Sequence, residues 1–396
     1  MRRTAIVRRA RRDAVPARYG QGAGARRRTA LLLALSLLAG CIAMAAHEAA
    51  PPHHDADGYH NTNAGLVANT LGDFLRWRWQ RAMRAAAPAA APTPVVAPDI
   101  AFIGANAAAG AAMVPAATWI GHASVLVQAS GLNVLTDPVF AARASPVQWF
   151  GPERTVAPGL ALAQLPHIDV VLISHSHYDH LDESSVRALA AQPGGAPLFL
   201  VPMGLKAWMA GVGVAGAVEL DWWQSHRVGG CEFFLTPVQH WSARGAFDRN
   251  ETLWGGWAIF GPDFQWYFAG DTGYSDDFRE TRRHFAARQA QGGFDLALIP
   301  IGAYEPRWFM RKQHVNPEEA VRIHLDVAAR RSIGVHWGTF ELTDEPLDQP
   351  PRDLAQARKD HGLADDDFTV LAIGETRRYS RRVDAAAPAS PTQGER

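Results

Sequence analysis

Hydrophobic and polar positions alternate in short blocks from about residue 117 onward. Apolar runs of four to six residues are each followed within two residues by Gly, Asp or His, as at 117–120, 132–135, 170–173, 233–238, 265–269 and 332–335. Runs of this length suit buried strands and are too short for typical helices. Because turn residues separate them, the pattern predicts stacked sheets flanked by helices. We therefore expect an α/β (α+β) domain over residues 116–380.

Side chains that bind metals follow several of these predicted strands. The run 170–173 is followed by Ser-His-Ser-His-Tyr-Asp-His-Leu-Asp at 174–182, and later strands are followed by Gln-His, Gly-Asp and His-Trp. Imidazole and carboxylate groups suit zinc and similar cations. We expect the four segments to converge on one edge of a sheet. Together they supply seven candidate ligands, the number that a binuclear site uses: His175, His177, Asp179, His180, His240, Asp271 and His336.

The spacing His-x-His-x-Asp-His resembles the signature of the metallo-β-lactamase superfamily. This resemblance implies an αββα sandwich, in which two mixed β-sheets are flanked by helices. It divides the candidates into ligands of one metal (His175, His177 and His240), ligands of a second (Asp179, His180 and His336) and a bridging carboxylate (Asp271). Asp271 and Asp179 are the carboxylates expected to take part in catalysis. The implied cofactor is two Zn²⁺ per chain, with iron or manganese as alternatives.

Two further polar residues follow predicted strands. Asp137 resembles the superfamily's aspartate that orients a ligand imidazole, and the alternative is a plain Asp-Pro turn. His122 follows Ile120 and Gly121, and we expect it to be structural.

Longer blocks resemble N-acylphosphatidylethanolamine-hydrolysing phospholipase D and the bacterial RomA-like proteins. They include 118–123, 136–138, 143–146, 219–223, 268–274, 299–310, 313–324 and 336–340. The resemblance implies a zinc-dependent phosphodiesterase that converts N-acylphosphatidylethanolamine-like membrane lipids to phosphatidic acid and N-acylethanolamine. It also implies that Tyr178 and His314 contact the phosphate region of the substrate. Two alternatives remain open, a dimetal lactone hydrolase of the same fold and a non-catalytic envelope lipoprotein.

His314 stands just before a predicted helix start. Asn316, Pro317 and Glu319 are typical of the N-cap, N1 and N3 positions, and the positive end of a helix favours an anion such as phosphate. A capping or packing role is the alternative for His314.

An apolar stripe is a second candidate for substrate contact. Leu205, Trp208 and Met209 lie at i, i+3 and i+4, on one face of a short predicted helix. The stripe is either part of the core or a contact for acyl chains.

The first 41 residues predict an export signal. Arg26 to Arg28 precede an apolar run at 30–39, which is too short to span a bilayer. The following Leu-Ala-Gly-Cys resembles a bacterial lipobox that ends at Cys41, the expected site of lipidation. We therefore expect a lipid-anchored membrane protein of the bacterial cell envelope, on the periplasmic or outer-membrane side. The alternatives are an uncleaved anchor and a cytoplasmic or peripheral membrane location.

The charge distribution argues against a nucleic-acid partner. Residues 1–28 contain ten Arg and one Asp, which leaves 29 basic and 38 acidic residues in the remainder. The expected partners are a membrane phospholipid substrate and the membrane surface, and a homodimer is a further option.

Residues 42–115 predict an N-terminal extension with an Ala/Pro-rich linker at 86–98, and 381–396 predict a disordered tail. The extension contains the aromatic and Arg-rich stretch 74–81. A helix of this composition can lie at a lipid headgroup surface or pack its Trp residues on the main domain. We interpret His47, His53, His54 and His60 in the same extension as solvated, and a metal-binding role is the alternative.

Overall fold

The apolar runs form the strands of two mixed sheets. The structure is a computed structural model, and it describes residues 51–63, 69–84, 90–290 and 292–382. Its strands are β1 (His54–Asp55), β2 (Gly58–Tyr59), β3 (Ala116–Gly121), β4 (Ser124–Ala129), β5 (Leu132–Thr136), β6 (Val170–Leu172), β7 (Leu198–Pro202), β8 (Val218–Leu220), β9 (Ser225–Val228), β10 (Cys231–Thr236), β11 (Gly256–Phe260), β12 (Gln265–Phe268), β13 (Leu296–Pro300), β14 (Ser332–Val335), β15 (Phe368–Thr369) and β16 (Thr376–Arg378).

The helices lie in the connections between these strands. They are α1 (Leu71–Met83), α2 (Ile100–Ala107), α3 (Glu183–Ala190), α4 (Lys206–Gly211), α5 (Asp277–His284), α6 (Arg307–Met310), α7 (Pro317–Asp326) and α8 (Gln349–Asp360), with single 3₁₀ turns at Gly110–Ala112 and Leu162–Gln164. Helix α7 begins where the sequence predicts, because Asn316 and Glu319 form a reciprocal capping box.

Each large sheet has seven strands. The first has the order β16-β3-β4-β5-β6-β7-β8 and the second the order β15-β14-β13-β12-β11-β10-β9. Strands β5 to β8 pair in parallel, as do β12 to β15, and the other pairs within these sheets are antiparallel. Because the carboxyl ends of neighbouring parallel strands lie at the same edge, the loops after them can meet there.

Strand β6 shows why its run is continuously apolar. Val170 and Leu172 pack in the core cluster shared with the second sheet, whereas Val171 and Ile173 pack in a second cluster with residues of α3 and α4. Side chains alternate between the two faces of a strand, and both faces of β6 are buried. Helices α7 and α8 contribute to the core on the side of the second sheet. The predicted αββα sandwich is therefore confirmed.

Helix α1 packs on this domain through one face. Trp77 is 8% exposed and stacks on Phe309, with ring centroids 5.2 Å apart, while its Nε1 donates to Asp344 at 3.2 Å. Trp79, two residues on, is 69% exposed. The aromatic stretch thus combines one packed Trp with one that faces solvent.

Some expectations concern residues outside those that the structure describes. These are the export signal at 1–41 with Cys41, His47, and 383–396 of the predicted tail. Among the described helices, none has both the length and the apolar character needed to cross a membrane.

Leu172→Ala should lower the free energy of unfolding by about 2–5 kcal/mol, because the fully buried side chain leaves a cavity between the sheets. The matched control is Leu325→Ala on α7, whose side chain is 42% exposed and should cost about 0.5 kcal/mol or less. Urea unfolding followed by circular dichroism measures both, and equal losses would contradict the packing described.

Candidate metal centre

The loops after the strands bring all seven candidate ligands together. The loop 174–182 follows β6, His240 follows β10, Asp271 follows β12 and His336 follows β14. The Oδ2 atom of Asp271 lies at the centre of the cluster. It is 3.1 Å from Nε2 of His180 and of His336, 3.9 Å from Nε2 of His240 and 4.0 Å from Nε2 of His175.

The ligand atoms form two groups. In one, Nδ1 of His177 lies 2.7 Å from Nε2 of His175 and 3.3 Å from Nε2 of His240. In the other, Oδ2 of Asp179 lies 3.4 Å from Nε2 of His180 and 3.3 Å from Nε2 of His336. Asp271 contacts members of both groups, so its carboxylate occupies a bridging position.

The electrostatics of the cluster suits cations. Burial lowers the pKa of His177 to about 4 and that of His240 to about 3, so each ring is neutral at pH 7 and keeps a lone pair available. Burial alone raises the pKa of Asp179 and Asp271, but the surrounding imidazoles hold it well below its ordinary range. In the described part of the chain, no Lys or Arg lies within 4 Å of either carboxylate.

Several buried polar atoms of the candidate ligand residues have no hydrogen-bond partner among the described residues: Nε2 of His177, His180 and His336, and Oδ1 of Asp271. Buried polar atoms are normally satisfied, and coordination to a metal satisfies such lone pairs. Imidazole nitrogen and carboxylate oxygen suit zinc, iron or manganese. The residues therefore fit a pair of cations.

Asp137 holds one ligand ring in place. Its Oδ2 accepts hydrogen bonds from Nδ1 of His180 at 2.7 Å and from Oγ of Ser174 at 2.6 Å, and its Oδ1 accepts the Ser174 N–H at 2.7 Å. The Asp137 side chain is fully buried. Because His180 uses Nδ1 for this bond, its Nε2 points to the cluster, which is the orienting role that the sequence suggested.

His122, which we expected to be structural, also lies in the cluster. Its Nε2 is 3.0 Å from Oδ2 of Asp179, and its carbonyl oxygen accepts the His336 N–H at 3.0 Å. Both histidines have a positive φ, 53° for His122 and 62° for His336, which is uncommon for residues other than glycine. His122 directly follows β3, which is the same type of strand-end signal that identified His240 and His336.

Asn61 was missed altogether. Its Nδ2 donates to the carbonyl oxygen of His240 at 2.9 Å, and its Oδ1 accepts the His240 N–H at 3.0 Å and the Trp254 Nε1–H at 3.1 Å. The N-terminal extension therefore fixes the backbone of a candidate ligand. A single Asn in an extension gives no sequence signal for such a contact.

A cleft of about 520 Å³ opens onto the cluster. Its polar residues include His177, Tyr178, Asp179, Asp271 and His314, and its apolar wall includes Phe74, Trp77, Phe309 and Met310. Tyr178 and His314, the two residues expected to contact the substrate phosphate, thus both line the cleft.

His314 is close to the bridging carboxylate. Its Nδ1 is buried without a hydrogen-bond partner among the described residues and lies 3.9 Å from Oδ2 of Asp271. The capping box at the start of α7 already uses the Glu319 N–H, and the Glu319 carboxylate accepts the Asn316 N–H at the helix end. The side chain of His314 therefore remains a candidate for a polar contact in the cleft.

The apolar stripe at 205–209 belongs to the core. Leu205 and Met209 are buried in the cluster between the first sheet and its helices, and neither they nor Trp208 lines the cleft. A direct acyl-chain contact is therefore corrected to a packing role for Leu205 and Met209. The physical reason is that this face packs into the apolar cluster that also contains Phe199 and Val201 of β7.

Trp208 instead contacts Arg244, which connects it to the loop 174–182. The Arg244 guanidinium lies 4.7 Å from the Trp208 ring centroid and 4.1 Å from that of Tyr178. It also donates to the carbonyl oxygens of Ser176 and Leu181, both at 2.7 Å. Arg244 therefore holds both ends of the segment that contains His177 and Asp179.

Comparison with known proteins identifies the superfamily. Residues 132–337, just over half of the chain, match the family described as the beta-lactamase superfamily domain, and this range contains all seven candidate ligands. The chain belongs to the metallo-β-lactamase superfamily.

Relatives of this superfamily member include named enzymes. It is 43% identical over 273 residues to N-acyl-phosphatidylethanolamine-hydrolyzing phospholipase D 1 of Caenorhabditis elegans, covering 65% of this chain and 74% of that protein. It is 35% identical over 254 residues to the mitochondrial enzyme of that name from Saccharomyces cerevisiae, and the match covers 63% of this chain and 53% of that protein. A metallo hydrolase of Ignicoccus hospitalis, Igni18, shares the fold at 20% identity, with a TM-score of 0.51 over 67% of this chain and 99% of that one. This superfamily member is a metal-dependent hydrolase.

Asp137→Asn should weaken the affinity for the more loosely bound of the two cations by about 10- to 100-fold. The reason is that Nδ1 of His180 loses its negatively charged hydrogen-bond acceptor. The matched control is Asp169→Asn, whose carboxylate accepts the Asn133 N–H away from the cluster. Competition with a chromogenic chelator measures both affinities. Wild-type affinity in the Asp137 variant would show that this contact does not support the centre.

Proposed function

We propose that this protein is a zinc-dependent phosphodiesterase of phospholipase D type that acts on N-acylphosphatidylethanolamine-like membrane lipids. The observation that carries the proposal is one cleft that joins an apolar aromatic wall to the paired ligand groups. The names of the relatives at 43% and 35% identity support the same substrate class.

The cleft suits a molecule with a charged centre and apolar arms. His177, Asp179, Asp271 and His314 make one side polar, and the wall of Phe74, Trp77, Phe309 and Met310 offers apolar surface. A phospholipid with an N-acylated headgroup carries acyl chains on both sides of its phosphodiester. The phosphodiester would lie at the ligand cluster and an acyl chain along the aromatic wall.

The seven ligands would hold two Zn²⁺. One ion would be bound by His175, His177 and His240, and the other by Asp179, His180 and His336. Asp271 would bind both. When bound, such a pair of cations lowers the pKa of a shared water and stabilises negative charge on the phosphoryl oxygens. Asp271, at the centre of the cluster, would orient the attacking water and accept its proton. His314 would position a phosphoryl oxygen through its unpartnered Nδ1.

The reaction breaks the bond between phosphorus and the ethanolamine oxygen. The oxygen of water becomes part of the phosphate, which yields phosphatidic acid. A proton is transferred to the departing ethanolamine oxygen, which yields N-acylethanolamine.

A membrane-surface location is part of the same proposal. Phe74 and Trp77 on α1 line the cleft, whereas Leu71, Leu75 and Trp79 on the same helix are 58–73% exposed. Trp149 and Phe150, between the cleft residues Ala144 and Pro152, are 80% and 69% exposed. Apolar side chains beside a lipid-binding cleft favour contact with a bilayer. Lipidation at Cys41, an envelope location and a homodimer stay predictions.

Incubation of metal-analysed protein with N-acylphosphatidylethanolamine should release phosphatidic acid and N-acylethanolamine in equal amounts. His177→Ala and Asp271→Ala should each reduce turnover at least about 1,000-fold with unchanged far-ultraviolet circular dichroism, because each removes a group from the cluster. Mass spectrometry of both products measures the rate.

The control for these variants is His226→Ala, on the edge strand β9 outside the cluster, which should retain wild-type turnover. A panel of lactones is assayed in parallel. Hydrolysis of lactones alone, or full activity in the Asp271 variant, would contradict the proposed phosphodiesterase.

Trp77→Ala should raise KM for a short-chain, monodisperse substrate about 10-fold, because the buried ring forms part of the apolar wall. Trp79→Ala is the matched control on the same helix, and its exposed ring should leave KM unchanged with this substrate. Steady-state kinetics distinguishes the two, and an equal change in both variants would argue against substrate contact at Trp77.

A further inference from the structure

The hairpin β1–β2 of the N-terminal extension is attached to the domain near the end of β8. Its strands pair His54 with Tyr59 and Asp55 with Gly58, and the Tyr59 N–H donates to the carbonyl oxygen of Asn250 at 2.9 Å. A two-stranded hairpin is marginally stable by itself. The contacts of its side chains with the domain therefore decide whether it stays in place.

Two adjacent histidines of this segment approach one carboxylate. Nε2 of His53 lies 2.7 Å from Oδ1 of Asp221, and Nε2 of His54 lies 3.0 Å from Oδ2. The side chain of Asp221 is 7% exposed, that of His53 12% and that of His54 22%. One ligand atom from each residue lies within 4.8 Å of the other two.

A hydrogen-bonded pair accounts for His53 but not for His54. The Nε2 atom of His54 is buried without a hydrogen-bond partner among the described residues, although Oδ2 of Asp221 is 3.0 Å away. Nε2 of His54 and Oδ2 of Asp221 direct lone pairs at each other, and this arrangement is stabilised when both atoms coordinate one cation. A bound cation would therefore satisfy the nitrogen that a hydrogen bond does not.

Neighbouring aromatic rings and a backbone N–H hold the side chains of His53, His54 and Asp221 in position. The His53 ring stacks on Trp222 at 4.3 Å, and the His54 ring packs edge-on against Tyr59 at 4.9 Å. Oδ1 of Asp221 also accepts the Trp222 N–H at 2.7 Å. Such contacts orient ligand side chains before the metal binds.

The surroundings favour a cation and leave space for solvent. A surface cavity of about 550 Å³ adjoins His54, and its lining includes the carboxylates of Asp55, Asp57 and Glu251 and no Lys or Arg from the described residues. Negative potential at the cavity raises the local concentration of divalent cations. Water in the cavity can occupy a fourth coordination position.

We propose that His53, His54 and Asp221 bind one further divalent transition-metal ion of the zinc class, separate from the paired centre. Two imidazole nitrogens and a carboxylate oxygen, with water as the fourth ligand, are a donor set that suits zinc. The ion stabilises the folded hairpin because it binds the folded chain more tightly than the unfolded chain. Asn61, which follows the hairpin, bonds to both backbone groups of His240, so the ion helps to fix the extension beside the candidate active site.

The test compares the zinc content of the full chain with that of a variant changed at one ligand. Each protein is equilibrated with excess Zn²⁺, passed over a desalting column and analysed by plasma emission spectrometry. His54→Ala should contain about one Zn²⁺ fewer per chain than the wild-type protein. His60→Ala is the matched control, because His60 lies next to the hairpin but pairs with Asp55 and is outside the three ligands; it should retain the wild-type content.

A second variant separates loss of the ion from loss of the hairpin. Asp221→Asn changes the ligand on the domain side and leaves both histidines in place, and it should also lose about one Zn²⁺. The rise in melting temperature on adding Zn²⁺ to chelator-treated protein should be smaller in both ligand variants than in His60→Ala. Wild-type zinc content in His54→Ala and Asp221→Asn would overturn the proposal, whatever the state of the paired centre.

Discussion

The structure depends on two carboxylates, Asp271 and Asp179, that are enclosed by imidazoles at the meeting point of two sheets. Burying charge is costly unless opposite charge or hydrogen bonds compensate it. Here the compensation comes from rings that several separate loops contribute, so no single segment can form the centre alone. The sandwich brings the loops together, and a pair of cations would hold them there.

The N-terminal extension is part of this arrangement. Helix α1 supplies Phe74 and Trp77 to the wall of the cleft, and Asn61 bonds to both backbone groups of His240. The hairpin before Asn61 contacts Asp221 through two histidines. The interpretation of His53 and His54 as solvated is therefore corrected, since both rings are largely buried against the domain. The wall of the cleft and the backbone position of His240 both depend on residues that precede the family match at 132–337.

The sequence was informative wherever a local pattern determines position. Short apolar runs followed by His or Asp predicted stacked sheets and the convergence of seven ligands, because the end of a strand sets where the next residue lies. The αββα arrangement of those sheets and helices came from the resemblance to the superfamily. The same strand-end signal is present at His122, but we expected that residue to be structural and did not count it with the ligands. The i, i+3, i+4 stripe of Leu205, Trp208 and Met209 predicted a helix face but not what that face contacts. The contact of Asn61 with a residue about 180 positions away depends on tertiary packing, which no local pattern encodes.

The most direct test of the account is anomalous X-ray diffraction from crystals of the metal-loaded protein, recorded above and below the absorption edge of the metal. The account predicts two peaks about 3.5–4 Å apart, on either side of the Asp271 carboxylate and each beside one of the two ligand groups. A single peak that leaves Asp179, His180 and His336 without a metal would contradict it.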